Sequence, residues 1–225
     1  MKTQSALAVI EKKSTKDLVV DRVREAILKG ELSSGQRVTE PELAGNFGVG
    51  QATVREALIE LEHMGFVQRR EPRKTFITHL THEDIAQIYA VRVPLEFLAI
   101  EMAAAAHGDL SALDDAIEKM ESAAKKGDLA GFKSADHNFH RALWQAAGNP
   151  YIVECLEPLV TKLFAFAYTT IGDGRPAPEK RLDLVAAHRD ITAFLRAGDA
   201  SAAKDALRDS MDMSWTKDEQ PPARS

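Results

Sequence analysis

The first eighty residues combine short amphipathic segments with turn signals. Apolar side chains recur every three or four residues through 16–29 and again through 51–63, which predicts two amphipathic helices. Between them, Thr39 is followed three residues later by Glu42, and this spacing predicts the capping box of a short second helix. The segments FVQRR and TFITH then predict two short strands joined by a polar tip. Three helices followed by a hairpin is the order of a winged helix-turn-helix.

The rest of the chain predicts helices almost throughout. No alternation with a period of two occurs after residue 80, and Ala, Leu, Glu and Lys are abundant there. Breaks that contain Gly, Asn or Pro separate six helical segments, at about 82–106, 109–126, 128–147, 150–171, 178–197 and 199–215. Short connections favour packing of neighbours, so we expect a six-helix antiparallel bundle. The predicted fold class is mainly α, with a winged helix-turn-helix domain over residues 10–80 and an all-helical domain over residues 81–216.

Composition narrows the class of protein. The chain has 225 residues, 44% of them hydrophobic and 28% charged, which is ordinary for a folded protein. No run approaches the ~18 apolar residues of a membrane span, and the apolar stretch from Ala6 to Ile10 is too short for a secretory signal. The single cysteine, Cys155, cannot form an intrachain disulfide and favours a reducing compartment. We therefore expect a cytoplasmic protein.

Charge is distributed unevenly between the two predicted domains. Residues 1–80 carry 13 Lys and Arg against 11 Asp and Glu, whereas residues 81–225 carry 16 against 23. The net charge of −5 thus conceals a mildly basic section joined to an acidic one. A polyanion such as DNA would be accepted by the first section and repelled by the second.

Side chains suited to contacts with DNA cluster at two places in the front section. Gln51, Thr53 and Arg55 lie at or near the start of the third predicted helix. Gln pairs bidentately with adenine, Arg with guanine or phosphate, and Thr with phosphate or a thymine methyl group. Arg73 and Lys74 add positive charge at the hairpin tip. Arg55 taken alone is explained more simply by a pair with a nearby Glu on a solvated helix, but the helix order, the turn and the basic wing together favour DNA binding.

The rear section contains a pattern that suits a divalent metal ion. Asp136 and His140 are four residues apart, so both lie on one face of a helix, and His188 lies near the middle of the fifth predicted helix of this section. A carboxylate and imidazoles are a workable ligand set for zinc or a similar ion. The pattern alone also fits a surface helical pair and a hydrogen-bonded core histidine.

Residues 22–80 resemble the DNA-binding domain of the GntR family of bacterial transcription regulators. The resemblance lies in ILKGELSSGQRVTEPELAGNFGV, GQATVREALIELEHMGFVQRR and the wing strand RKTFI. It implies that Gln51, Thr53 and Arg55 meet DNA, together with the wing residues Arg73, Lys74 and Thr75. The chain departs from the family at Gly50-Gln51, where Ser or Thr followed by Arg is usual, at Ala52-Thr53, where Thr-Pro or Thr-Thr is usual, and at Pro72-Arg73-Lys74, where a Gly is usual. An operator sequence therefore cannot be taken over from relatives.

The rear section resembles the FCD effector domain of the FadR branch of that family, and its six helices resemble the VanR-like subgroup. This resemblance implies a metal held by Asp136, His140 and His188, with zinc or nickel favoured by ligand type. The family's fourth ligand is a His, and Ser210 stands at that position, so a lower affinity is expected. Arg92 matches a family arginine. It is expected to bind a ligand carboxylate through two hydrogen bonds, to pair with Glu96 one turn later, or to do both.

These features predict a homodimeric regulator, most often a repressor in this family, that binds a palindromic operator and responds to a small organic acid. One alternative is a DNA architectural protein without an effector. The other is a metal-dependent enzyme in a helical bundle. The paired Glu-x-x-His motifs of di-iron oxidases, a Gly-x-Ser-x-Gly elbow and a phosphate loop are all missing from the sequence, which argues against an enzyme.

Overall fold

A computed structural model describes residues 13–28, 30–71, 74–169 and 178–213 of the chain. Helices dominate it, and a small sheet lies in the N-terminal part, so the predicted mainly α class is confirmed. The N-terminal elements are α1 (Thr15–Leu28), β1 (Arg37–Val38), α2 (Glu40–Phe47), α3 (Gln51–His63), β2 (Val67–Glu71) and β3 (Lys74–Ile77). The helices that follow are α4 (His82–Ala106), α5 (Ser111–Lys126), α6 (Leu129–Ala146), α7 (Pro150–Thr169), α8 (Pro178–Arg196) and α9 (Ala200–Met213). The outer domain bounds predicted at residues 10 and 216 lie outside the described residues.

The N-terminal elements form a winged helix-turn-helix. The apolar stripes of α1 and α3 meet in one core that includes Val23, Val54 and Leu61. The sheet has the order β1-β3-β2 and is antiparallel, with Val67 opposite Ile77. Strand β1 was not predicted, because two residues in a turn-rich segment carry no periodic pattern.

The capping box predicted at the start of α2 is only partly present. The Thr39 hydroxyl accepts a hydrogen bond from the Glu42 backbone at 3.4 Å, but no reciprocal bond from Glu42 is found among the described contacts. A complete box lies instead at the start of α4. There the Thr81 hydroxyl accepts from the Asp84 backbone at 3.1 Å, and the Asp84 carboxylate accepts from the Thr81 backbone at 2.8 Å. This box fixes the point where the chain enters the helical domain.

The six C-terminal helices pack around a second core, which includes Phe139, Leu156 and Ile191. Ion pairs between α8 and α5 fix their relative direction, since Arg189 meets Glu121 and Arg196 meets Asp114. The residue numbers rise along α8 as they fall along α5, so these two helices are antiparallel. Helix α9 is antiparallel to α4 for the same reason, since Lys204 meets Glu101 and Arg208 lies over the ring of Phe97. The three-residue turn between α8 and α9 reverses the chain, so α4 and α8 run in the same direction. None of the described helices has the length and apolar character needed to cross a membrane.

Helix α7 joins the two cores. Its Ala165 is buried among the core residues of the winged helix-turn-helix rather than in the bundle. Gly65, in the turn after α3, has a φ of +74°, and a Cβ placed there would lie 2.9 Å from the backbone nitrogen of Lys162 in α7. The turn thus sits directly on the backbone of α7, and only a glycine satisfies both the left-handed conformation and the close approach.

Candidate functional site

The three predicted metal ligands come together inside the bundle. One ligand atom each of Asp136, His140 and His188 lies within 4.8 Å of the others, and all three residues are buried. Helix α6 contributes the first two on one face, because residues four apart project from the same side. Helix α8 contributes the third. The spacing on α6 was visible in the sequence, whereas the approach of His188 is a result of the fold.

Hydrogen bonds orient both imidazole rings toward the middle of the cluster. His188 Nδ1 lies 2.7 Å from the backbone oxygen of Leu184, and a proton on Nδ1 that donates there leaves the lone pair on Nε2. This Nε2 lies 3.0 Å from Asp136 Oδ1, and neither atom has a hydrogen-bond partner. Two buried acceptors that face each other at this distance require a shared cation, either a proton or a metal ion.

Glu96 on α4 orients the other imidazole. Its Oε2 lies 3.0 Å from His140 Nδ1, so a proton on Nδ1 leaves the His140 Nε2 lone pair directed at the cluster, 3.8 Å from Asp136 Oδ1. A carboxylate behind a ligating histidine is the usual outer partner in metal sites. The sequence suggested Glu96 only as a partner for Arg92. Its bond with His140 joins residues 44 positions apart and has no local signal.

Arg92 and Glu96 form a buried ion pair beside the cluster. Arg92 Nε donates to Glu96 Oε1 at 2.6 Å, and Glu96 is fully buried. Burial acts to raise the pKa of Glu96, but the charge of Arg92 and the hydrogen bonds with His140 and Arg92 outweigh it and lower this pKa to about 2. Arg92 Nη2 lies 3.3 Å from His140 Nε2, and no hydrogen bond of the described residues uses Nη1. The guanidinium group therefore borders the same space as the metal ligands.

The electrostatics of Asp136 also suit a ligated cation. Burial acts to raise its pKa, but His188, His140 and Arg92 together hold it below the ordinary value. The carboxylate is thus ionised in the form that binds metal. A buried oxygen and a buried nitrogen without partners, with one carboxylate and two imidazoles as the donor set, fit zinc or nickel.

Ser210, at the expected fourth ligand position, is bound to its own helix. Its hydroxyl donates to the backbone oxygen of Leu207 at 2.8 Å, and the residue is almost fully buried. A neutral hydroxyl is a poorer ligand for these ions than an imidazole. The donor set of the described residues therefore consists of three side chains, and an oxygen from a ligand or water would complete the coordination of an ion held there.

The third helix presents the residues that were predicted to read DNA. Gln51 and Arg55 are exposed and Thr53 is half-buried at the start of α3. Gly50 caps this helix without a side-chain hydrogen bond, so the first backbone N–H groups of α3 have no side-chain cap. The Arg55 guanidinium group makes a bidentate pair with Glu40 of α2, at 3.0 and 2.7 Å. This is the pairing with a nearby Glu that the sequence left open, and it holds the Arg55 side chain on the outer surface of α3.

The structure describes two of the three predicted wing residues. Lys74 is half-buried at the start of β3, and Arg73 lies outside the described residues. Thr75 is buried in β3, the central strand, with β1 on one side and β2 on the other. Direct contact between Thr75 and DNA is therefore not supported. The alternation along KTFI could have shown this, because Thr75 shares the inner face with Ile77.

A small cavity lies between the winged helix-turn-helix and the bundle, on the side of α6 next to the metal ligands. It measures about 270 Å³, and its lining includes Arg24 of α1, His63 of α3, His137 of α6 and Glu157 of α7. Phe164 of α7 also lines it, and its ring centroid lies 5.0 Å from that of His137 and 6.0 Å from that of His140. One aromatic side chain therefore contacts both the cluster and the wall of the interdomain cavity.

Comparison with known proteins agrees with both halves of the molecule. The family model described as "Bacterial regulatory proteins, gntR family" matches residues 15–77, and the FCD domain model matches residues 87–213. The chain is 31% identical over 204 residues, 87% of each chain, to a protein from Paenarthrobacter nicotinovorans named "Probable D-xylose utilization operon transcriptional repressor".

Solved structures give the same result. A GntR-type transcriptional regulator from Rhodococcus sp. RHA1 superposes with a TM-score of 0.69 at 26% identity, over 90% of this chain and 96% of that one. Escherichia coli McbR/YncC shares the fold, with a TM-score of 0.70 at 21% identity over 89% and 95%. The family and these relatives are transcription regulators and not enzymes, while the VanR-like subgroup stays a prediction. The chain belongs to the GntR family of bacterial transcription regulators, with an FCD domain after its DNA-binding domain.

Proposed function

We propose that this regulator binds a palindromic operator as a homodimer in the cytoplasm, most simply as a repressor, and that a small organic acid bound in its FCD domain changes its affinity for DNA. The observation that carries the proposal is the buried cluster of Asp136, His140 and His188, beside Arg92, in a chain whose α3 presents an exposed polar face. The cluster is suited to binding an oxygen ligand, and α3 is suited to reading DNA.

The chemistry of α3 supports the DNA-binding half of the proposal. Gln51 and Arg55 extend from an exposed helix start, where they can reach base edges or phosphates in a major groove. The uncapped N–H groups of the same turn favour a phosphate oxygen. Lys74 brings positive charge to the wing, and Arg73 is the further wing cation proposed from the sequence. Thr53, half-buried in the same turn, is proposed to contact phosphate or a thymine methyl group.

The arrangement around Arg92 supports an acid as the effector. The three ligands Asp136, His140 and His188 would hold the metal ion, and the ion would supply a Lewis-acid position for an acid oxygen. Arg92 is fixed by Glu96 at 2.6 Å, so its guanidinium group is pre-positioned to pair with a second oxygen of the same acid. Ser210 is at the position where the family has a fourth ligand, and it is proposed to line the effector site rather than to ligate the ion.

The contacts of α6 and α7 offer a route from the effector site to the DNA-reading head. Phe164 packs against His140 of the cluster, and Gly65 and Ala165 fix the head to the same helix α7. A ligand that binds one arrangement of α6 and α7 more tightly than another would shift the equilibrium between the two arrangements by that difference in binding free energy. Because α3 is fixed to α7, the position of α3 would change with this equilibrium. These contacts support the proposal that acid binding is coupled to DNA binding.

Helix α4 supports the proposal of a homodimer. Val91, Pro94 and Leu98 form an exposed apolar stripe on it, with Val91 49% and Leu98 41% exposed. Apolar residues spaced by three and four along a long helix suit packing against a second helix. A dimer would place two α3 helices on two half-sites of one operator.

A binding experiment tests the DNA-reading helix. Duplexes selected from a random library by the full chain would be titrated by fluorescence anisotropy at fixed salt, with Arg55→Ala compared with wild type. We expect Arg55→Ala to weaken binding by about tenfold or more, because a bidentate contact contributes about 1–3 kcal/mol. Arg189→Ala, an exposed arginine on α8, is the matched control and should leave the affinity unchanged. Equal affinities for wild type and Arg55→Ala would contradict the assignment of α3.

A further inference from the structure

Arg55 is the only Lys or Arg of the DNA-reading helix. The sequence of α3, QATVREALIELEH, contains no other, and three Glu residues follow Arg55 along it. Arg55 lies one turn after Gln51 on the exposed side of the helix, with the exposed Glu56 beside it. The direction in which this one guanidinium group points therefore decides much of what α3 can recognise.

Glu40 of α2 occupies one edge of that guanidinium group. Arg55 Nε donates to Glu40 Oε1 at 3.0 Å and to Oε2 at 3.1 Å, and Nη2 donates to Oε2 at 2.7 Å. Nε and Nη2 form the side of the arginine fork, and a carboxylate that accepts from both fixes the plane of the group. The Arg55 side chain is 60% exposed, so this carboxylate rather than packing sets its direction.

The end of the same fork is directed away from Glu40. In the described parts of the chain no hydrogen bond uses Nη1 of Arg55, and the second hydrogen of Nη2 lies on the side that faces away from the carboxylate. Nη1 and Nη2 together match O6 and N7 of guanine, the pair of acceptors that arginine reads in the major groove. Glu40 thus takes the side of the fork and leaves an edge that is suited to guanine.

The contact also limits the attraction of α3 for DNA of any sequence. A hydrogen bond from Arg55 is the main cause that lowers the pKa of Glu40, so the carboxylate is ionised and compensates the charge of Arg55. Sequence-independent binding depends on cations that neutralise phosphates, and a compensated arginine adds little to it. An arginine whose plane is already fixed loses less freedom when it pairs with a base. The pair therefore disfavours phosphate contacts relative to a base contact.

We propose that Glu40 is a positioning residue for DNA recognition, which holds Arg55 so that it reads one guanine in each half-site and which lowers the affinity for DNA of other sequences. This inference rests on the proposed function. A pair that only stabilises the fold would act equally on all duplexes, and exposed pairs contribute little to stability. The positioning role instead concerns the choice of base, so it has a readout of its own.

The test measures the base preference at the position that Arg55 reads. Duplexes selected from a random library by the full chain would be varied one base pair at a time in both half-sites and titrated by fluorescence anisotropy at fixed salt. We expect one G·C pair whose replacement by A·T weakens wild-type binding about tenfold or more, and has no effect in Arg55→Ala. In Glu40→Gln this preference should fall to about threefold or less, while a scrambled duplex should bind about threefold or more tightly than to wild type.

Two further variants separate positioning from charge. Glu62→Gln removes another carboxylate of the same domain, one that pairs with Arg69 at 3.2 Å, and should leave the guanine preference at its wild-type size. Arg55→Lys keeps the charge but has no fork, so it should lose the preference, and Glu40→Gln should not change the preference further in that background. Equal losses of affinity for the selected and scrambled duplexes in Glu40→Gln would indicate a structural role and overturn the inference.

The outcomes also separate this inference from the proposed function. If the preference that depends on Arg55 is for another base, or if Glu40→Gln keeps a full guanine preference, the role of Glu40 is wrong while α3 stands as the DNA-reading helix. If Arg55→Ala binds the selected duplex as tightly as wild type, the assignment of α3 is wrong and the role of Glu40 is wrong with it.

Discussion

Replacement of Gly65 by alanine tests the contact that joins the DNA-reading head to α7. Two costs add at this position. An alanine at a φ of +74° costs about 1–2 kcal/mol in the left-handed conformation. The new Cβ would also lie 2.9 Å from the Lys162 nitrogen and 3.0 Å from its Cα, and relief of such overpacking costs about 1–3 kcal/mol more. We therefore expect Gly65→Ala to lower the free energy of unfolding by about 2–5 kcal/mol.

Gly48 provides a matched control for the backbone term. It has a φ of +65° at the end of α2, and a Cβ there would meet no atom within 4 Å. Gly48→Ala should therefore cost only the conformational term of about 1–2 kcal/mol. Urea unfolding followed by circular dichroism gives both values, and anisotropy with a selected duplex gives the DNA affinity.

The difference between the two variants isolates the contact with α7. We expect Gly65→Ala to be the less stable protein and to weaken the response of DNA binding to an acid, since the turn can no longer rest on the α7 backbone. Equal losses of stability in Gly65→Ala and Gly48→Ala, with an unchanged response to acid in both, would refute the reasoning.

Three further predictions concern the site and its supports. Glu96→Gln should lower zinc affinity about 10–100-fold in a metal titration, because it weakens the partner of a ligating histidine, and unchanged affinity would contradict that role. His188→Ala should abolish the stabilisation by zinc in a thermal-shift assay, and full retention of the shift would exclude His188 as a ligand. Hydrogen bonds from the backbone and hydroxyl of Thr81 hold the pKa of Asp84 below its ordinary value. The ionised Asp84 therefore contributes its full share to the free energy of unfolding above about pH 4, and this share is lost as the pH falls further. Urea titrations of Asp84→Asn between about pH 5 and 3 should show a shallower acid loss of stability than wild type, and an unchanged slope would count against the capping box.

The sequence predicted the helices well because their signals are local. The apolar periodicity of 51–63 and the glycines on either side of it predicted the observed bounds of α3, Gln51–His63. The six predicted helices of the bundle are all present. The complete capping box at Thr81 was missed because its partner is Asp84, whereas the expected motif has Glu or Gln at that position. Strand β1 was missed because it exists only through pairing with β3.

The candidate site was predictable where its residues share one helix. Asp136 and His140 were found from their spacing, and His188 was identified through the family resemblance. The second bond of Glu96, to His140, depends on how α4 packs against α6, which no local pattern records.

The most direct test of the account is whether an acid that binds the FCD domain changes the affinity for DNA. The zinc-incubated chain would be titrated onto a selected duplex by fluorescence anisotropy, with and without a saturating acid chosen by calorimetry. We expect a change of about tenfold or more in the dissociation constant for DNA, which corresponds to a coupling free energy of about 1.4 kcal/mol. In His188→Ala we expect no change of DNA affinity on addition of the acid. A DNA affinity that is the same with and without every acid that binds would contradict this account.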